Sequence, residues 1–182
     1  FAVLAPINDN HSVYKNYEVC PKNHTEIDNN KYGLEEVKSV DISWVLNKKE
    51  LNDIGNWDEN IFLYFETFDL CRRLKNHGKK IYIAKNIKTA HLGSKSHAPM
   101  LEFESLLNRH WHYNWSKFYY FQKHDGYFFG LKKTCHTLLK AMIRYGKAKL
   151  CFKHKECKLH YAEISGLICS YLKKPSGYRP YE

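Results

Sequence analysis

Two acidic residues at helical spacing are the first candidates for chemistry in this sequence. Glu66 and Asp69 lie three positions apart within GNWDENIFLYFETFDLCRRL, which runs from Gly55 to Leu74. At the beginning of a helix this spacing puts both carboxylates on one side, where the helix dipole favours their ionised form. An ionised carboxylate within reach of a hydroxyl group can act as a general base. The spacing alone favours a simpler arrangement, a helix cap with an ion pair to Arg72 or Arg73.

A set of cysteines and histidines near the C-terminus has the composition of a metal site. Cys151, His154, Cys157 and His160 follow one another at intervals of three residues. On a helix, each step of three falls about 60° short of a full turn, so four such side chains spread over half the circumference. That spread cannot close a tetrahedral zinc site. The sequence therefore favours a role without metal for these residues.

The elements that must position the acidic pair alternate between strands and helices in residues 1–100. Apolar and β-branched runs predict strands, and apolar residues at helical spacing predict helices. The predicted strands cover residues 1–6, 39–46 and 79–85, and the predicted helices cover residues 47–55 and 67–78. Each helix is expected to end at a glycine, Gly55 or Gly78. Residues 7–36 are polar and without a period, which indicates a long loop or hairpin region, and the alternation as a whole predicts an α/β fold.

The C-terminal part, residues 101–182, is strongly basic and helical in pattern. It carries 15 Lys and Arg against 6 Asp and Glu, whereas residues 1–100 carry 14 against 13. Helices are predicted over residues 101–112 and 127–145. The second helix is amphipathic, and its predicted apolar face consists of Tyr127, Leu131, Cys135, Leu138 and Met142. We therefore expect the two parts of the chain to have different roles.

Length and composition restrict the class of protein. The chain has 182 residues, a formal net charge of +10 and 43% hydrophobic residues, enough for one folded domain or one domain with an appendage. No run approaches the roughly 18 apolar residues of a membrane span, and the first residues, FAVLAPIND, lack the basic flank of a signal peptide. The six cysteines are predicted to be free thiols in a reducing compartment. Because Phe1 begins a predicted buried strand, we expect a further segment to precede it.

The acidic run and the residues after it form an ordered motif. From Gly55 the sequence follows G-x-x-D-E-x-x-F-x-Y-x-E-x-x-D-L-x-x-R, and then come Gly78, a predicted strand and H-x-G-S beginning at His91. Over residues 40–97 this order resembles the second half of a family 2 glycosyltransferase domain with the GT-A fold. Residues 110–126, HWHYNWSKFYYFQKHDG, resemble the segment after the catalytic domain in bacterial rhamnosyltransferase-like members. The resemblance implies that the chain is the C-terminal portion of such an enzyme.

The resemblance also implies a reaction and assigns residues to it. In that family an acid deprotonates the acceptor hydroxyl, which displaces the diphosphate of a nucleotide-sugar with inversion, while a divalent cation offsets the charge on the diphosphate. By position, Glu66 and, second to it, Asp69 are the implied catalytic acids. His91 is the implied ligand of a Mn²⁺ or Mg²⁺ ion, and an imidazole suits Mn²⁺ better. The residues implied in substrate binding are Trp57, Asp58 and Arg73.

The sequence departs from the family pattern at two places. Thr67 stands where the family has the aspartate most often assigned as the base, and a hydroxyl group cannot act as a base near neutral pH. The chain also has no D-x-D motif, which in the family holds the cation on the nucleotide. The resemblance implies that the nucleotide-binding half lies before Phe1, so we expect the chain to be inactive alone.

The predicted organisation and partners follow from these points. Residues 1–97 are expected to complete the catalytic domain on the acceptor side, and residues 98–182 to form a basic, aromatic-rich helical appendage. The resemblance implies a nucleotide-sugar donor and a glycan or lipid-linked acceptor used in surface polysaccharide synthesis. The aromatic and basic residues from Trp111 to Lys123 could stack on nucleic-acid bases, but the charge and the amphipathic helix favour anionic lipid headgroups, so a nucleic-acid partner is not expected.

The predicted location is the cytoplasm, at the inner face of the cell membrane. An alternative interpretation is a non-catalytic, basic and aromatic binding module for a membrane surface or a nucleic acid. Thr67 and the missing D-x-D motif are the features that favour this alternative.

Overall fold

The computed structural model describes residues 1–8, 15–20, 33–41, 43–90 and 101–178. The described residues belong to two compact units. The first unit comprises Phe1–Asp58 and Glu66–Lys95, and the second comprises Glu59–Phe65 and Ser96–Glu182. The predicted boundary between residues 97 and 98 lies outside the described residues.

In the first unit, the residues that the structure describes form a mixed five-stranded sheet and two helices. Its strands are β1 (Val3–Asn8), β2 (Tyr17–Val19), β3 (Leu34–Val40), β4 (Val45–Leu46) and β5 (Ile81–Thr89), and its helices are α1 (Lys48–Asn52) and α2 (Glu66–Asn76). The strand order is β2-β3-β5-β1-β4. Strand β1 pairs in parallel with β5, and β3 is antiparallel to β5. This arrangement confirms the predicted α/β class at the level of secondary structure and sheet content.

The core of the first unit forms where α2 packs on the sheet. Alternate residues of the two central strands point to the same face of a sheet, and Val3 of β1 and Ile81 of β5 are fully buried there. Helix α2 contributes Leu70 and Leu74, four residues apart on one face. The apolar spacing that predicted this helix therefore marks the side that it buries.

Glycine ends α2 as predicted. Helix α2 stops at Asn76, and Gly78 has a φ of +69°, a left-handed conformation that costs a glycine little. The amide of Lys79 then donates to the carbonyl of Leu74 at 2.9 Å, which satisfies one of the free carbonyls at the end of the helix. The predicted helices over residues 47–55 and 67–78 are thus confirmed as α1 and α2.

The predicted strand over residues 39–46 is wrong as a single element. Strand β3 begins earlier, at Leu34, and ends at Val40, while β4 covers only Val45–Leu46. Ser43, between them, has a φ of +57°, which interrupts an extended chain. The region over residues 7–36, predicted as a long loop or hairpin, contains β2 and the beginning of β3, which pair as antiparallel strands. The polar sequence of β3, LEEVKSV, conceals a strand because only part of it is buried.

The described residues of the second unit form three helices. They are α3 (Glu102–Asp125), α4 (Tyr127–Leu150) and α5 (His154–Tyr171), and each packs against the other two. The helices predicted over residues 101–112 and 127–145 are confirmed, although both continue further, and α5 is an additional helix. Within the described part of the chain, no helix is long and apolar enough to cross a membrane.

Small residues permit close packing of these helices. A Cβ atom at Gly166 of α5 would lie 2.4 Å from the backbone oxygen of Trp111 in α3. The side of α4 that faces the core also carries small side chains. Its buried residues are Gly130, Thr134, Ala141 and Ala148. The predicted apolar face of α4 is therefore wrong, since Cys135 and Met142 are exposed. Close helix approach selects small side chains for the interface and leaves larger apolar ones outside it.

Candidate functional site

The candidate site of the first unit lies where β3 ends and α2 begins. Asp41 directly follows β3, and Glu66 is the first residue of α2. Cys71 lies further along α2, and its thiol donates to the carbonyl of Val40 at 3.8 Å. This contact holds the end of the strand against the helix, so the charge of Asp41 acts on Glu66. The structure thus adds Asp41 to the acids that the sequence singled out.

Glu66 has the properties of a carboxylate prepared for proton transfer. Burial is the main cause that raises the pKa of Glu66 above its ordinary value, and the negative charge of Asp41 raises it further. Its Oε2 atom is buried and has no hydrogen-bond partner among the described residues. A desolvated carboxylate with a raised pKa is a stronger base than an exposed one. Perturbed acids of this kind are concentrated at functional sites.

The backbone immediately before Glu66 is strained. Tyr64 and Phe65 both have left-handed φ angles, +63° and +66°, which bulky residues rarely adopt. In the second unit, the rings of these two residues pack against Tyr113 with centroids 5.7 and 5.5 Å apart, and Phe65 also packs against Tyr120. Strained backbone persists where surrounding packing holds it, and it is frequent at functional sites.

Asp69 and Arg73 form an internal ion pair. Arg73 donates from Nε to Oδ2 of Asp69 at 2.8 Å, and from Nη1 to the carbonyl of Ile54 at 2.9 Å. The Asp69 side chain is fully buried. The sequence left the choice between Arg72 and Arg73 open, and the structure shows Arg73 as the partner. The roles of Asp69 as a catalytic acid and Arg73 in substrate binding stay predictions, because these hydrogen bonds join groups of the protein to one another.

The other predicted site residues are less closely grouped. Trp57 is 37% exposed, and its ring makes an edge contact with Trp44 at 5.4 Å between centroids. Asp58 follows it in the chain and is partly buried. The predicted cation ligand His91 lies outside the described residues. Among the residues that the structure describes, no group of three or more His, Cys, Asp or Glu side chains could hold a metal ion.

A small cavity adjoins Asp41 and was not anticipated from the sequence. Its volume is about 220 Å³, and it is lined by Lys15, Asn16, Tyr17, Glu18, Ser39, Val40, Asp41 and Phe68. Asn16 is fully buried, and both polar atoms of its side chain have partners there. Its Nδ2 donates to the carbonyl of Pro6, and its Oδ1 accepts from the backbone N–H of Asn8. The cavity is below the roughly 300–1,000 Å³ of typical ligand pockets, so it suits one small group. The one sequence feature that could have indicated this cavity is Asp41, an acidic residue that directly follows a buried strand.

The second unit has a larger cavity of its own. Its volume is about 400 Å³, and it is lined by Tyr64, Leu106, Arg109, His110, Tyr113, Asn114, Thr137 and Glu163. Glu163 is held by His110 at 2.9 Å and by His160 at 3.0 Å. Although burial favours the neutral acid, these two hydrogen bonds keep the pKa of Glu163 below its ordinary value. The carboxylate thus makes hydrogen bonds with two imidazole rings.

Comparison with known proteins does not assign either cavity. No family model matches the chain, and no curated protein or solved structure matches it significantly. The functional interpretation therefore depends on the residues around Glu66 themselves.

Proposed function

We propose that this chain carries the acceptor-side part of an inverting, family 2-like glycosyltransferase of the GT-A fold, with Glu66 as the general base. The observation that carries the proposal is the state of the Glu66 carboxylate. It is partly buried, its pKa is raised, and its Oε2 atom has no hydrogen-bond partner among the described residues. A buried polar atom without a partner is costly unless a ligand satisfies it.

The proposed step begins with an acceptor hydroxyl group that donates its hydrogen bond to the Glu66 carboxylate. As the hydroxyl oxygen attacks the anomeric carbon of the donor sugar, the proton moves to the carboxylate. The bond from the anomeric carbon to the diphosphate oxygen breaks, and the nucleoside diphosphate leaves with the electron pair. Because attack and departure occur on opposite faces, the anomeric configuration inverts. A raised pKa assists this step, since a stronger base removes the proton more completely.

Other residues have supporting roles in the proposal. The pair of Asp69 and Arg73 positions α2, since Arg73 joins it to the turn that follows α1. Trp57 and Asp58 are proposed contacts for the acceptor sugar. The divalent cation implied by the resemblance has no ligand group among the described residues, since His91 lies outside them. No step is therefore assigned to a cation.

The nucleic-acid alternative receives little support from the second unit. Aromatic residues can stack on bases only when their faces are accessible. Trp111, Trp115 and Phe118, which lie within the aromatic and basic stretch, are at most 4% exposed. They form the helix interfaces instead. Attachment to a membrane surface therefore stands as the second candidate function, because the basic surface of the same unit remains available.

The transferase proposal is tested in the full-length natural protein. Transfer from UDP- and dTDP-sugars is measured with Mn²⁺ and a panel of glycan acceptors, by release of the nucleoside diphosphate. We expect Glu66→Gln to lower the rate by roughly 10²- to 10⁴-fold, the usual contribution of a general base. Glu156→Gln, which changes an exposed acid of α5, is the matched control and should leave the rate unchanged. Normal transfer by Glu66→Gln would contradict the proposal.

A further inference from the structure

Helix α4 presents large apolar side chains to solvent. We define the apolar stripe as Phe128, Cys135, Leu139, Met142, Ile143 and Leu150. Leu139 is 60% exposed, Ile143 is 50% exposed and Leu150 is 81% exposed. Phe152, immediately after the helix, is also 81% exposed. Single exposed apolar residues are ordinary, but a continuous row of them indicates an interaction surface.

The stripe is a separate face of α4 and not an edge of its buried side. At 3.6 residues per turn, the six residues of the stripe fall within an arc of about 100°. The buried residues of α4, such as Thr134 and Ala141, lie on the opposite side of the helix axis. The three-helix packing therefore uses the small side of α4 and leaves the large apolar side without a described partner.

A row of cations borders the apolar stripe. We define the basic stripe as Lys133, Lys140, Arg144 and Lys147, which cluster within an arc of about 60° beside the apolar stripe. All four are exposed. Helix α4 contains no Asp or Glu at all, and it has two further cations. Lys132 lies within the arc of the apolar stripe, and Lys149 lies at the edge opposite the basic stripe. A lysine within the stripe can extend its charged end towards the headgroups while its methylene groups stay in the apolar layer. No described residue forms an ion pair with any of these six cations.

We infer that α4 lies in the headgroup layer of an anionic lipid bilayer, with the apolar stripe inserted and the basic stripe on the headgroups. A solvent-facing apolar stripe flanked by Lys and Arg is the pattern of helices that lie in the plane of a membrane surface. Anionic lipids attract such cations within about a Debye length. The inference does not depend on the transferase proposal, because both stripes belong to the second unit and Glu66 to the first.

The same features argue against other occupants of this face. A second copy of the chain, packed through the same stripe, would bring two acid-free cationic helices together, and like charges at close range repel. A nucleic acid would use the cations but would leave the apolar side chains exposed to water. A bilayer with anionic headgroups satisfies both stripes at once.

The test measures sedimentation of the full chain with large unilamellar vesicles. One set consists of phosphatidylcholine alone, and the other contains 30% phosphatidylglycerol. We expect binding to the anionic vesicles at least about tenfold stronger than to the neutral ones at low salt, and strongly reduced at 1 M NaCl. Equal binding to both sets, or no binding to either, would overturn the inference.

Two pairs of substitutions separate the roles of the stripes. Leu139→Asn with Ile143→Asn should weaken binding by about tenfold or more, because less apolar area is inserted. Its matched control, Val45→Asn with Ile87→Asn, removes exposed apolar side chains of the first unit and should bind normally. Lys140→Glu with Lys147→Glu should abolish the preference for phosphatidylglycerol. Its control, Lys48→Glu with Lys88→Glu, makes the same change of net charge in the first unit.

Folding and self-association are checked on the same variants. All four stripe positions are exposed, so the variants should keep the helical circular dichroism of the parent chain. Light scattering of the parent chain without vesicles reports its oligomeric state. A dimer that Leu139→Asn with Ile143→Asn dissociates would overturn the inference, because it would show that a second copy covers the stripe. Vesicle binding that survives both stripe variants would overturn it as well.

Discussion

Arg73 donates a 2.8 Å hydrogen bond from Nε to the fully buried carboxylate of Asp69, one turn earlier in α2. The pair is the ion pair that its spacing indicated, and Glu66 is the less buried of the two acids. Arg73 also bonds the carbonyl of Ile54. The pair therefore connects α2 with the turn after α1, so removal of the pair should lower the free energy of unfolding.

Asp69→Asn is expected to destabilise the first unit by about 3 kcal/mol. The substitution leaves the Arg73 cation mostly buried without its counter-ion, which costs more than the ion pair itself contributed. Urea unfolding followed by far-ultraviolet circular dichroism measures the change. Asp69→Leu with Arg73→Met removes both charges and should recover a large part of the loss. Additive losses in the double variant would contradict an interaction between the two side chains.

Glu66→Gln is expected to stabilise the protein at neutral pH. Because the pKa of Glu66 is raised in the folded state, ionisation is less favourable there than in the unfolded chain. The parent and the variant should therefore have similar stability below the unfolded pKa, and the parent should lose stability relative to the variant as the pH rises through the folded pKa. At pH 7.5 we therefore expect the variant to have a higher Tm than the parent.

Thermal unfolding at pH 4 and pH 7.5 measures this effect. The difference in Tm between parent and variant should grow with pH. Glu156→Gln serves again as the control. Because it removes an exposed ion pair with Lys153, it should be no more stable than the parent at either pH. A difference that shrinks towards neutral pH would show that the Glu66 pKa is lowered in the folded protein.

Asp41→Asn is expected to shift the pH dependence of transfer. If Glu66 is the base, kcat/KM rises as the pH passes its pKa and then levels off, with a midpoint above the ordinary glutamate value. After burial, the charge of Asp41 is the cause that raises this pKa, so its removal should move the midpoint to lower pH. The profile is measured in the full-length natural protein. An unchanged midpoint would exclude Asp41 as a neighbour that tunes the base.

Two glycines of the second unit provide a matched pair of alanine substitutions. Gly166→Ala would place a Cβ atom 2.4 Å from the backbone oxygen of Trp111, so the helices must separate. We expect a loss of about 2 kcal/mol or more. At Gly146 no atom lies within 4 Å of the new Cβ, and alanine within a helix should add up to about 1 kcal/mol. Thermal unfolding of the two variants should move Tm in opposite directions.

Elements with strong local signals were predictable from the order of residues alone. The apolar runs predicted β1 and β5, and the spacing of Leu70 and Leu74 predicted α2. Gly78 predicted the C-terminal end of α2. The acidic pair and the basic, helical character of the C-terminal part were also visible. These features depend on neighbours within a few positions along the chain, because helix and strand periods and glycine turns are properties of short segments.

The contacts between distant segments, in contrast, were not predictable before the folded chain was known. The structure showed that β3 begins within a polar stretch at Leu34, that Asp41 acts on Glu66, and that Arg73 is the partner of Asp69. The structure also showed which side of α4 is buried: Ala141 faces the core, and Met142 faces solvent. These outcomes depend on which distant segments approach one another, since close helix packing selects small residues and a neighbouring charge shifts a pKa only across space. Local patterns in a single sequence do not contain that information.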